Sequence, residues 1–139
     1  SWGDTSRFCQ PVYLEALMQF EGLRFALAHV SWPWTDECIA VTQKIHRMNA
    51  LVGRSELQAY VDLTPGTPAA YREDVLRKAA AVLAPDRIIW GTDSVPNAKG
   101  KYAKGPIESD RKVLTHAGLD DEAIQAILYD NAATFYGVA

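Results

Sequence analysis

Three short apolar runs, rich in β-branched and aromatic residues, recur along the chain at nearly equal spacing. They cover residues 24–29, 57–63 and 87–91, so their starts lie 33 and 30 residues apart. Each run is followed by a segment with helical periodicity, which is the order of elements in parallel strand–helix units. The pattern therefore predicts three buried parallel strands, each followed by at least one helix.

Helix start and stop signals place these helices. The first is expected to start at Thr35, a common N-cap residue, and to end at Gly53; the second starts with Thr67 as N-cap and ends at Pro85. Further helices are predicted at 11–20, 107–117 and 120–131, with a short turn at 132–136. The buried stripes are predicted to comprise Cys38, Val41, Ile45, Met48 and Val52 in the first helix, and Tyr71, Val75, Ala79 and Val82 in the second.

The spacing of the strands favours one fold over its main alternative. A (β/α)8 barrel of about 250 residues repeats every ~31 residues, which the two spacings bracket. A small doubly wound sheet would need more strands and a glycine-rich first turn. Three strands cannot close a barrel, and the chain starts at Ser1 without an initiator methionine. We therefore interpret residues 1–139 as an α/β domain that forms the C-terminal half of a (β/α)8 barrel and is incomplete on its own.

Composition and charge exclude several classes of protein. The chain is 48% hydrophobic and 22% charged with a net charge of −3, which is typical of a folded protein and argues against nucleic-acid binding. No uncharged apolar stretch approaches the roughly 20 residues that span a bilayer. Two cysteines, Cys9 and Cys38, are too few for a disulfide framework. We expect a cytoplasmic protein with no nucleic-acid or membrane partner.

Two residues suited to metal binding or proton transfer fall at the predicted strand ends. His29 ends the first strand and Asp93 follows the third. In parallel α/β folds the active site gathers at this end of the sheet, and such a pair can bind a divalent cation or activate a water. Each residue alone is also explained structurally, His29 as a satisfied core histidine and Asp93 as a turn or cap residue. Their occurrence at corresponding ends favours a site.

Other residues at the same rim have both a functional and a structural interpretation. Trp32 and Trp34 could line a substrate pocket or close the barrel by packing, and the hydroxyl of Thr64 could contact substrate. Lysines of the loop after the third strand could attract a carboxylate or be merely solvated: Lys99, Lys101 and Lys104. Structural roles are expected for Cys38, His46 and His116.

The segments LAHVSWPWTDECI, RIIWGTDSV and LYDNAATFYG together resemble the C-terminal portion of the amidohydrolase-related metal-dependent hydrolases. This barrel branch includes 2-pyrone-4,6-dicarboxylate lactonase and aminocarboxymuconate-semialdehyde decarboxylase. The resemblance implies that the three strands are the sixth to eighth of the barrel. It implies that His29 is the sixth-strand histidine, a metal ligand or substrate contact. Asp93 is then the eighth-strand aspartate, which binds the metal and takes a proton from the attacking water.

The family's two-histidine first strand and its fifth-strand histidine have no counterpart in this chain. The resemblance thus implies that a missing N-terminal half or a partner chain, for example in a homo-oligomer, completes a divalent-metal site, with zinc expected. It implies hydrolysis of a C–O or C–N bond in a small, carboxylated substrate by activated water, with this chain alone inactive. A decarboxylase, a metal-free lactonase and a non-catalytic half-barrel assembly unit remain as alternatives.

Overall fold

A three-stranded parallel sheet forms the centre of the computed structural model, which describes residues 8–53, 57–94 and 104–138. The strand order is β1-β2-β3, with β1 at Arg24–Leu27, β2 at Gln58–Asp62 and β3 at Ile88–Ile89. Both strand pairs are parallel, and helices connect successive strands. The predicted α/β class with three parallel strands is therefore confirmed.

Helical segments make up most of the remaining described chain. Their bounds are Pro11–Gln19 (3-10 helix), Ala28–Ser31 (3-10 turn), α1 Thr35–Val52, α2 Ala69–Val82, Pro85–Arg87 (3-10 turn), α3 Lys104–His116, α4 Asp121–Gln125, Ala126–Asp130 (π turn) and α5 Asn131–Tyr136. The junction residues Ala126 and Asn131 keep right-handed helical dihedral angles. The segment from α4 to α5 is consequently one helix interrupted by a π turn, so the break predicted near residue 131 is wrong.

The main core lies between one face of the sheet and the helices. In the register, Leu27 is opposite Val61, and Val61 is opposite Ile88. These side chains pack in one cluster with helical residues that include Cys38, Leu76, Leu114, Ile124 and Ile127. On the other face, Tyr60 packs edge to face against Phe135 of α5. A three-stranded parallel sheet with connecting helices fits part of a (β/α)8 barrel, and the assignment to its C-terminal half stays a prediction.

All three strands end earlier than their apolar patterns predicted, β1 and β3 by two residues and β2 by one. The chain turns after Leu27 because His29, Val30 and Ser31 all adopt positive φ, between 51° and 53°, which is incompatible with extended pairing. At the third strand, Arg87 belongs to the preceding 3-10 turn and pairing stops at Ile89. Beyond the ladder the predicted runs differ in burial, since Trp90 is buried after β3 whereas Ala28 is exposed after β1.

The predicted N-caps are each displaced by one residue. Thr35 is the first residue of α1 and is buried, and the cap position is Trp34, which makes no side-chain capping bond. Pro68 is the cap of α2 instead of its first helical residue, so Thr67 precedes the helix. The hydroxyl of Thr67 is buried without a hydrogen-bond partner in the described residues. The helix ends are better predicted, since Gly53 closes α1 in the left-handed conformation.

The buried helix faces are shorter than the predicted stripes. Met48, Val52, Tyr71 and Val82 are exposed. Helix α1 has 18 residues, which corresponds to ~27 Å, whereas the five residues of β2 span only ~17 Å. The last turns of α1 therefore extend past the sheet and have no strand to cover. No helix in the described ranges is both long and apolar enough to cross a membrane.

Candidate functional site

His29 lies immediately after β1, in the 3-10 turn where the chain leaves the sheet. Its ring is half-buried, and Nδ1 lies 3.3 Å from the backbone carbonyl of Thr64, just beyond β2. A carbonyl oxygen can only accept, so Nδ1 carries the proton and donates it. In the neutral ring this leaves the lone pair of Nε2 available to a ligand or a proton.

A glycine makes the position of the His29 ring possible. A Cβ atom built on Gly66 would lie 2.4 Å from Nδ1 of His29 and 2.5 Å from its Cγ. Both distances are far below any real Cβ contact, so the ring occupies the space that the missing side chain leaves. The loop after β2 thus contacts His29 at two points, the Thr64 carbonyl and the Gly66 backbone.

Thr64 lies just beyond the central strand β2, in the middle of the carboxyl-terminal end of the sheet. Its backbone N–H donates to Oδ1 of Asp62 at 2.7 Å, and its hydroxyl donates to the same oxygen. A Cβ on Gly91, which follows β3, would lie 2.7 Å from the Thr64 hydroxyl oxygen. Thr64 therefore contacts the chain beyond β1 through its carbonyl and the chain beyond β3 through its hydroxyl.

Asp62 is a half-buried carboxylate at this site that sequence reasoning did not single out. It is the last residue of β2, two residues after Tyr60 and four after Gln58. Alternate residues of a strand share a face, so Asp62 lies on the face opposite the main helical core. The period-two alternation along β2 was the signal that could have found it.

Asp93 lies three residues beyond Trp90, in the irregular segment after β3. It is exposed and has a φ of 54°, a left-handed conformation that aspartate tolerates better than most residues. The next residue is held by a bond from Ser94 N–H to the Thr92 hydroxyl at 3.2 Å. Across the described ranges, no three His, Cys, Asp or Glu side chains are grouped closely enough to hold a metal ion.

The two tryptophans after His29 are both half-buried, and one has a clear packing partner. The ring centroid of Trp32 lies 4.7 Å from that of Tyr71, in the first turn of α2. The backbone of Trp34 bonds to Ser31 and to Cys38, which joins the turn to α1. Lys104 is exposed at the start of α3. The other two lysines of the predicted cationic loop, Lys99 and Lys101, lie outside the described residues.

The structural roles expected for two other candidate residues are confirmed. Cys38 is fully buried in the core, and burial raises the pKa of its thiol to about 12, which suppresses the reactive thiolate. The Nε2–H of His46 donates to the Ala59 carbonyl at 2.9 Å, and burial lowers the pKa of the ring. Neither side chain belongs to the site at the strand ends.

A known protein family matches almost the whole chain. The sequence model of a family described as amidohydrolase matches residues 2–138 of the chain. The chain belongs to this amidohydrolase family. The resemblance carried by its motifs is therefore confirmed, and with it a hydrolase-superfamily function at the level of the family. No curated protein and no solved structure matched the chain.

One motif of this amidohydrolase chain is structural. Asn131, of the Asn-Ala-Ala run that opens α5, is buried, and its amide donates to the carbonyls of Pro85 at 2.8 Å and Ile88 at 2.7 Å. These carbonyls lie just before and at the start of β3, at the opposite end of that strand from Asp93. Asn131 therefore attaches the last helix to the sheet and takes no part in the candidate site.

Proposed function

We propose that this chain carries part of the active site of a hydrolase that cleaves a C–O or C–N bond of a small carboxylated molecule. The observation that supports the proposal is Thr64, which contacts His29 beyond β1 and Gly91 beyond β3. A histidine and an aspartate thus follow the ends of β1 and β3, the two strands on either side of β2, in an amidohydrolase-family chain. Active sites of parallel α/β barrels are built at this end of the strands.

The proposed place of the chain in the barrel is strands six to eight. In the described residues β1 and β3 each pair only with β2, so each presents one unpaired edge. A missing N-terminal half or a partner chain, including a second copy in a homo-oligomer, would supply the other strands and the other polar groups of the site. We expect the chain alone to be inactive for this reason.

In the proposed reaction, Asp93 accepts the proton of the attacking water at a carboxylate oxygen and passes it to the leaving group. A carboxylate can hold a proton briefly and pass it on. In the proposed arrangement His29 presents Nε2 to the reaction space, since its Nδ1–H donates to the Thr64 carbonyl. Trp32, Trp34 and Thr64 are the proposed substrate contacts on the rim.

The two residues also fit a divalent metal, with zinc expected. An imidazole that donates Nδ1–H to a carbonyl and keeps Nε2 free has the tautomer and the orientation found in metal-binding histidines. His29 and Asp93 would hold the metal together with ligands beyond the described residues. When bound, such an ion lowers the pKa of a coordinated water toward ~7.

The test is the Asp93→Asn substitution in the full-length protein, assayed on carboxylated lactones, esters and amides. Asparagine keeps the size of the side chain but cannot accept the proton, so kcat is expected to fall at least about a hundredfold. The matched control is Asp130→Asn, an exposed aspartate on the π turn. A near-normal kcat for Asp93→Asn would contradict the proposal. Release of carbon dioxide from the substrate would show that the reaction is a decarboxylation instead of a hydrolysis.

A further inference from the structure

A buried carboxylate lies directly behind the candidate site. Asp110, on α3, is 2% exposed. Its Oδ1 accepts from Nε of Arg72 at 3.0 Å, and its Oδ2 accepts from Nη2 of Arg72 and from the indole N–H of Trp90 at 2.8 Å. The paired bonds to the guanidinium are the strong, geometrically specific form of a salt bridge.

This group of side chains reaches the chain just beyond β2 and just beyond β3. Nη2 of Arg72 also donates to the carbonyl of Leu63 at 2.6 Å. Leu63 directly precedes Thr64, and Trp90 directly precedes Gly91. The backbone N–H of Leu63 in turn donates to the Ile89 carbonyl at 2.8 Å, which joins the chain just beyond β2 to the end of β3.

From this connection, and resting on the proposed function, we propose that Arg72, Asp110 and Trp90 are positioning residues for the active site. They hold the ends of β2 and β3 at a fixed separation. The Thr64 carbonyl is then held toward His29, and the Thr64 hydroxyl is held against Gly91. None of the three acts on substrate, and their effect reaches the reaction through Thr64 and Asp93.

Stability alone is a weak explanation for this network. A buried ion pair loses hydration, and well-packed apolar side chains of similar size often stabilise a core as well or better. Directional bonds differ from apolar packing because they set the distance between the groups they join. A small displacement of catalytic groups lowers the reaction rate strongly even when substrate binding is kept. A network that fixes the distance between two strand ends is therefore expected to affect the rate more than the stability.

The first test compares Arg72→Lys with Arg77→Lys in the full-length protein. Lysine keeps the positive charge beside Asp110 but lacks the fork that bonds Asp110 and the Leu63 carbonyl together. Arg77 lies on the same helix and pairs with Asp74 at 2.9 Å on the surface. We expect Arg72→Lys to lower kcat about tenfold with KM within about twofold, because substrate binding is retained while geometry is not.

Hydrogen exchange gives a readout that does not depend on activity. Arg72→Lys should accelerate exchange at the amides of residues 63, 64 and 66 about tenfold or more, while Arg77→Lys leaves them unchanged. A second variant, Trp90→Phe, removes only the indole donor and should accelerate exchange at residues 91–94. The two sets of amides report on different hydrogen bonds, residues 63, 64 and 66 on those of Arg72 and residues 91–94 on that of Trp90. They can be told apart even if one variant is less stable overall.

Each outcome decides the proposal. Faster exchange at 63–66 together with the kcat loss supports positioning by the network. If either the exchange rates or kcat of Arg72→Lys match those of Arg77→Lys, the proposal is overturned. If Asp93→Asn keeps full activity or the unmodified protein hydrolyses nothing in the panel, the proposed function fails. If the proposed function fails, the network has no positioning role in catalysis. The hydrogen-exchange rates of Arg72→Lys then decide by themselves whether the network holds the ends of β2 and β3.

Discussion

Two glycines shape the candidate site at the level of single residues. Gly66 leaves the space that the His29 ring occupies, and Gly91 leaves the space for the Thr64 hydroxyl. In both cases a Cβ atom would lie less than 3 Å from the neighbouring side chain. The absence of a side chain therefore determines how closely the three strand ends approach one another.

Gly66→Ala is predicted to reduce activity without unfolding the protein. The new methyl group would displace the ring of His29. It would also lie 2.9 Å from the Cβ of His29, which ring rotation does not move, so the loop after β2 must shift as well. Misplacement by about 1 Å can lower kcat about a hundredfold, while the clash is expected to lower the free energy of unfolding by about 1 to 3 kcal/mol. Steady-state kinetics and thermal unfolding of the same preparation would measure both effects.

The matched control is Gly105→Ala in α3, where a Cβ meets nothing within 4 Å. That variant should keep wild-type activity and gain slightly in stability, since alanine favours helix. Equal activity of the two variants would show that the position of His29 is unimportant.

At the level of elements, α1 is attached to β2 by two side chains in addition to apolar packing. The Nε2–H of His46 donates to the Ala59 carbonyl at 2.9 Å, and the amide of Asn49 donates to the Leu57 carbonyl at 2.7 Å. Burial lowers the pKa of His46 from its ordinary value of 6.5; the Ala59 bond and Asp86 raise it, and Arg87 lowers it further. The folded protein therefore favours a neutral His46.

This shift predicts a loss of stability in mild acid. Because the pKa of His46 is lower in the folded state, the unfolded chain binds the proton more tightly. The free energy of unfolding should thus fall as the pH drops below about 6.5 and stop falling below the folded-state pKa. Urea unfolding at a series of pH values from about 7 to about 5 measures the slope.

His46→Gln should remove part of that slope, since glutamine keeps a donor but does not titrate. The exposed His116 is the comparison, and His116→Gln should leave the slope close to that of the unmodified protein. Identical slopes for all three proteins would contradict the role of His46.

At the scale of the whole molecule, hydrogen bonds connect β1 to the C-terminal end of α5. Nη1 of Arg24, at the start of β1, donates to the carbonyls of Thr134 at 2.9 Å and Phe135 at 2.7 Å. Thr134 and Phe135 lie 110 and 111 positions after Arg24 in the chain. The guanidinium also lies at the C-terminal end of α5, where positive charge complements the helix dipole.

Arg24→Met is predicted to lower the free energy of unfolding by about 1 to 2 kcal/mol, because two carbonyl groups lose a charged donor. Methionine keeps much of the apolar stem, so the change isolates the hydrogen bonds. Urea unfolding measures the loss, and exposed Arg47→Met on α1 is the control. A loss no larger than that of the control would show that this closure contributes little.

Much of the fold could be predicted from local pattern. The three strands and the helices between them lie where apolar periodicity placed them, and Gly53 ends α1 as expected. Their bounds were less predictable, as His29 shows. Its apolar neighbours predicted a continuing strand, but a run of positive φ values ends the ladder at Leu27. His29 in this turn contacts Thr64 and Gly66 of the loop after β2, and these contacts cannot be read from any local pattern.

The sequence by itself determined the family, the parallel strand–helix order and the positions of His29 and Asp93 at strand ends, because each of these is written in neighbouring residues. Only the tertiary structure decided that Thr64 contacts His29, that Asp62 accepts the hydroxyl hydrogen bond of Thr64 and that Asp110 on α3 bonds to Trp90. Those contacts link residues up to 35 positions apart. Their partners are chosen by the packing of helices on the sheet, which acts across the chain rather than along it.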